Sequence, residues 1–89
     1  MENSRLQIQF QIAAAERHTE AARREFSHRR ESPAAAAAAV TAHRADFYNW
    51  KIIAAAMRAQ KKPPPALAAV VAERLREIIA RQARLPAAQ

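Results

Sequence analysis

This chain of 89 residues contains neither glycine nor cysteine. Glycine is the usual residue of tight hairpin turns and bulges, so its absence removes the commonest means of building a β architecture. Without cysteine there is no disulfide, no thiolate metal site and no cysteine nucleophile, and nothing points to an oxidising compartment. Aromatic residues are scarce, with one Trp, one Tyr and three Phe. No glycine-rich loop exists to cradle a phosphate, which argues against nucleotide hydrolysis. Long apolar runs are missing too. No stretch approaches eighteen uncharged apolar residues, and residues 1–12 alternate polar with apolar side chains, unlike the continuous core of a signal peptide. The expected location is the cytoplasm, with no membrane partner.

What remains is rich in alanine and arginine, both strong helix formers. The fold class expected is all-α, as one domain over 1–89. So short a chain buries only a modest share of its surface, which makes self-association an expectation as well. The formal net charge is +7. Residues 1–32 carry six basic against five acidic side chains, 33–62 five against one, and 63–89 four against two. The excess sits in the middle.

Proline is the only punctuation, at Pro33, at Pro63, Pro64 and Pro65, and at Pro86. Ser32 before Pro33 reads as a helix start, because a serine side chain can cap an orphan amide while proline suits the first helical position. The reading is therefore helix 1 over about 4–31, capped by Asn3 or Ser4, and helix 2 over about 33–61, with Lys61 and Lys62 at its C-terminal dipole. A proline-rich hinge over 62–65 precedes an amphipathic helix 3 over about 65–85, which runs through Leu67, Val71, Leu75, Ile78 and Leu85.

Steps of four and three place Ile8, Ile12, Ala15, Thr19, Ala22 and Phe26 on one stripe of helix 1. The same steps place Ala36, Val40, His43, Phe47, Trp50, Ala54 and Met57 on one stripe of helix 2. Folding back at Ser32 makes an antiparallel helical hairpin. It sets Ala15 against Trp50, Thr19 against Phe47, Ala22 against His43 and Phe26 against Val40, small opposite large as a close-packed interior requires. The expected hairpin core is Ile8, Ile12, Phe26, Val40, Phe47, Trp50 and Met57.

Helix 2 has a second apolar stripe in Ala45, Tyr48, Ile52, Ala55 and Ala59. Helix 3 and a second copy of the chain are both expected to cover it, the latter in a symmetric homodimer. Leu6 and Phe10 leave further apolar area on helix 1. Between the two stripes of helix 2 runs a row of cations seven residues apart, Arg44, Lys51 and Arg58. These can be snorkelling stems over apolar neighbours or a rail for an acidic partner or phosphates. On helix 1 the spacing instead predicts internal pairs, Glu20 with Arg24 and Glu25 with Arg29.

No catalytic constellation emerges. His18 and His28 stand ten residues apart among Glu and Arg, His43 lies on the core stripe, and no metal motif such as HExxH occurs. Glu16 and Glu20 share a helix face with Arg neighbours but no cleft. Neither cofactor nor metal is expected, and the chain is not expected to be an enzyme. Of the aromatic group Phe47, Tyr48 and Trp50, only Tyr48 falls outside the core stripe, which weakens a base-stacking reading.

In the segments QIQFQIAAAE (7–16), ARREF (22–26) and ADFYNWKIIAAAMRAQ (45–60) the chain resembles small Ala- and Arg-rich accessory proteins of temperate bacteriophages. Among them it is similar in plan to helical-hairpin dimers that inhibit host quorum-sensing activators and pilus motor ATPases. The resemblance spans about residues 1–60 and implies an inhibitor acting in host takeover. The triple proline and third helix depart from that plan, and no functional residue carries over from it. From the residues themselves, the expected function is protein–protein interaction, with partner contacts at Arg44, Tyr48, Lys51, Ile52 and Arg58. The alternative is a basic nucleic-acid-binding accessory protein, although no helix-turn-helix is evident.

Overall fold

Three α-helices follow one another along the chain: α1 (Glu2–Ser27), α2 (Pro33–Arg58) and α3 (Pro65–Gln82). The computed structural model describes residues 2–86, with side chains from Leu6 onward, and no strand occurs among the described residues. The capping role expected of Asn3 or Ser4 lies outside the described side chains. At 1.5 Å per residue the two 26-residue helices are each about 39 Å long. That is most of the length of a molecule measuring 47 × 19 × 19 Å.

One backbone rule explains why none of the three helices runs on through the proline that follows it. An α-helical carbonyl needs the N–H four residues later, and proline has none. Pro33, Pro63 and Pro86 therefore strip the donor from the carbonyls of Arg29, Ala59 and Gln82, and the residue before each proline is pushed out of the helical region. The helices end at Ser27, Arg58 and Gln82, earlier than the expected limits near 31, 61 and 85. Beyond each end the chain tightens into turns, with Glu31 N–H donating to His28 O, Gln60 to Met57 O and Leu85 to Gln82 O. In α1 the Ser27 hydroxyl also donates to Arg24 O at 2.7 Å. Lys61 and Lys62 thus lie beyond α2, in the connection to α3.

Helix α2 starts as its sequence dictates. Ser32 is extended (φ −166°, ψ 162°), its side chain accepts from Ala35 N–H at 3.0 Å, and Pro33 occupies the first turn. Pro65 opens α3 in the same way after Pro64, which offers no side-chain cap.

The largest interface joins α1 to α2, and α3 packs mainly on α2. Ile8, Ala15, Trp50, Ile53, Ala54, Met57, Val71 and Ile78 form one buried cluster from all three helices. Ile12, Phe47, Leu67 and Leu75 pack against it half-buried. Val40 and Phe26, expected in this core, are half-buried and lie outside the cluster. Phe26 instead carries the Arg29 guanidinium 3.8 Å above its ring.

A polar chain runs through the apolar cluster and ties the three helices together. Trp50 Nε1–H donates to Thr19 Oγ1 at 2.8 Å, and Thr19 donates to Asp46 Oδ1 at 2.7 Å. Asp46 Oδ2 accepts from Arg81 Nη2 at 2.6 Å, and Arg81 Nε–H donates to His43 Nδ1 at 3.0 Å. Because arginine only donates, His43 Nδ1 must be the acceptor, so the proton sits on Nε2 and is given to Gln82 Oε1 at 2.7 Å. The expected facing of Thr19 with Phe47 is therefore corrected. Its partners are Asp46 and Trp50, because a buried hydroxyl goes where its hydrogen bonds can be made.

Candidate interaction surface

At 100° per residue the buried positions of α2, namely Ala39, His43, Asp46, Trp50, Ile53, Ala54 and Met57, fall on one side of the helix. Ala45, Tyr48, Ile52, Ala55 and Ala59 fall on the opposite side, and all five are exposed. Tyr48 retains 66% of its accessible surface and Ile52 42%. Helix α3 does not cover this stripe, contrary to expectation. The reason is chemical: α3 carries Arg81, whose buried carboxylate partner, Asp46, is on the inner side of α2, and the apolar residues Val71 and Ile78 pack into the core there with it.

Arg44, Lys51 and Arg58 are all exposed along one flank of the outer stripe. Lys51 bends toward the core side, with Nζ 5.4 Å from the Phe47 ring centroid, so its stem covers an apolar neighbour while its charge stays in water. None of the three forms an ion pair among the described residues. The structure thus brings the five sequence-derived contact residues, Arg44, Tyr48, Lys51, Ile52 and Arg58, onto one continuous exposed surface of one rigid helix.

A second exposed apolar patch lies on α1. Phe10 keeps 73% of its surface and Leu6 50%, and with Gln7, Gln11 and Ala14 they border an open groove of about 490 Å³. Ile79 of α3 is also exposed.

The remaining charges join α1 to α3. Arg23 Nε and Nη2 donate to Glu77 Oε2 and Oε1, each at 2.7 Å, and Arg74 Nε donates to Glu16 Oε1 at 2.5 Å with Nη2 to Oε2 at 2.9 Å. These bidentate forks hold the Glu16 and Glu77 carboxyls below the usual carboxylate range, chiefly through the hydrogen bonds from Arg74 and Arg23 respectively. The same bonds raise both arginines. The pairs expected within α1, Glu20 with Arg24 and Glu25 with Arg29, do not form, and Arg29 donates to the carbonyls of Phe26 and Arg84 instead. Exposed His28 pairs with Glu31, whose hydrogen bond raises the imidazole's proton affinity.

Sequence reasoning missed Asp46 and Arg81. The signal was present: Asp46 stands three residues after His43 and four before Trp50, and Arg81 stands three after Ile78, so an acid and a base interrupt two core stripes. Among the described residues no group of three or more His, Asp or Glu side chains is placed to hold a metal ion, and no helix is long and apolar enough to cross a membrane. No protein-family model, curated protein or solved structure matches the chain.

Proposed function

We propose that this protein is a non-catalytic interaction module that binds a partner protein through the outer face of α2 and modulates or inhibits it. The observation that carries this reading is that Tyr48 and Ile52 stay exposed between Ala45, Ala55 and Ala59 although the inner side of α2 is already fully packed. An apolar stripe on a rigid helix is suited to docking against a groove or another helix, and small residues around two large anchors permit close approach. The cations along one flank favour a partner whose rim is acidic.

The reading takes α1 and α2 as an antiparallel hairpin and the working form as a cytoplasmic homodimer. Two separate apolar surfaces, on α2 and around Phe10 of α1, leave room for a second copy and a target at once. From the resemblance to phage hairpin inhibitors we carry only the class of target, a host transcription regulator or motor ATPase.

Capture of partners from host lysate with the wild-type chain and with Tyr48→Asp, Ile52→Asp tests the proposal. A specific protein lost with the variant supports it, and an unchanged set of captured proteins overturns it. The second reading is nucleic-acid binding by Arg44, Lys51 and Arg58, favoured by their being exposed and forming no ion pair among the described residues. It predicts DNA binding that persists near physiological salt, weakens steeply with more salt, and disappears in the triple alanine variant.

A further inference from the structure

Between α1 and α3 lies a cavity of about 290 Å³ lined by Arg23, Phe26, Glu77, Ala80, Arg81 and Arg84. Three arginines face one carboxylate there. Glu77 is fully engaged by the fork of Arg23. Arg81, whose side chain is 5% exposed, uses Nε on His43 and Nη2 on Asp46, both toward α2. Its third nitrogen, Nη1, is buried and has no hydrogen-bond partner. The closest carboxylate oxygen recorded for it is Glu77 Oε2, 3.9 Å away and beyond bonding distance, and Nη1 is closed off from solvent, so a ligand in the cavity reaches it only when Glu77 moves aside. A buried donor left unmade is costly, and a charged one more so.

The surroundings favour negative charge. Arg84 is exposed and forms no ion pair among the described residues. Its carbonyl accepts from Arg29 Nε at 3.2 Å, which brings a fourth guanidinium to the edge. Phe26 and Ala80 add apolar lining to a cavity otherwise bordered by charged side chains.

We propose that this cavity is a binding site for a small oxyanion, a carboxylate or phosphate group, held by Arg81 Nη1 and Arg84 with Arg23 at its rim. An entering oxygen displaces the Glu77 carboxylate from the edge, completes the third bond of Arg81 and neutralises the excess cation. Arginine forks suit both planar carboxylate and tetrahedral phosphate oxygens. The site is independent of the outer face of α2.

The test is a titration of the full chain with inorganic phosphate and, separately, with acetate, each against chloride at matched ionic strength. Arginine Nε–H resonances are followed by NMR. The expected result is saturable movement of the Arg81 and Arg84 signals with a Kd on the order of 1 mM, and the anion that saturates first identifies the source of the group. Arg84→Ala, at an exposed position, should leave the Trp50 indole signal in place and weaken binding about tenfold or more. Glu77→Gln removes the competing carboxylate and should tighten binding about tenfold. Shifts with both anions no different from chloride, unaltered affinity in Arg84→Ala, or weaker binding in folded Glu77→Gln would each overturn the proposal.

Discussion

Arg81 Nη2 donates to Asp46 Oδ2 at 2.6 Å, with Asp46 wholly buried and Arg81 nearly so. This ion pair decides which side of α2 receives α3. A buried pair adds little stability over well-packed apolar residues, but removing one partner strands a charge. Asp46→Ala should therefore destabilise by about 3–5 kcal/mol in urea unfolding. The double variant Asp46→Leu, Arg81→Met should lose much less. Additive losses would mean that the two residues do not act as a pair.

Trp50 is fully buried and its indole N–H reaches Thr19. Trp50→Ala should cost about 3–5 kcal/mol by leaving a cavity. Thr19→Val, which keeps the shape and removes the hydroxyl, should cost about 1–3 kcal/mol by stranding both Trp50 Nε1 and an oxygen of Asp46. Loss below about 1 kcal/mol for Trp50→Ala would instead be the behaviour of a surface residue.

Tyr48→Ala and Ile52→Ala should each change unfolding free energy by no more than about 0.5 kcal/mol, since both side chains face outward. If the outer face holds a second copy, light scattering should show a dimer for wild type and a monomer for Tyr48→Asp, Ile52→Asp at equal concentration. A wild-type monomer at micromolar concentration would assign that face to the target alone.

The Glu16 and Glu77 carboxyls titrate below their ordinary 4.5 because Arg74 and Arg23 bind the charged forms. A depressed folded value means that their stabilisation is present above pH 4.5 and is lost as pH falls through the lower folded values. Both groups are partly exposed, so each ion pair should contribute about 0.2–1 kcal/mol and be sensitive to salt. Unfolding midpoints measured from pH 7 down to pH 3 should fall at the acid end, and Glu16→Gln with Glu77→Gln should flatten the fall.

Ser32→Ala removes the acceptor for Ala35 N–H at the start of α2 and should cost about 1 kcal/mol. Ser32→Asp, which keeps a capping oxygen, should restore most of it in the same thermal melt.

By itself the sequence determined the helices and their joints. Absent glycine and abundant alanine leave helix as the local preference, and each proline removes the donor that a carbonyl four residues earlier needs. The same rule keeps each helix short of its proline but does not place the ends, which fall six, five and four residues before Pro33, Pro63 and Pro86. The stripe from Ile8 to Ala22 was legible because its period is local, while Phe26 at its end fell outside the core. Only the tertiary structure decided where α3 lies. Two faces of α2 were apolar enough to receive it, and hydrophobic burial has no direction with which to choose between them. The choice rests on Asp46, buried on one face and not the other, with Thr19, Trp50 and Arg81 close enough in space to satisfy it. That face closed, and Tyr48 and Ile52 were left outside.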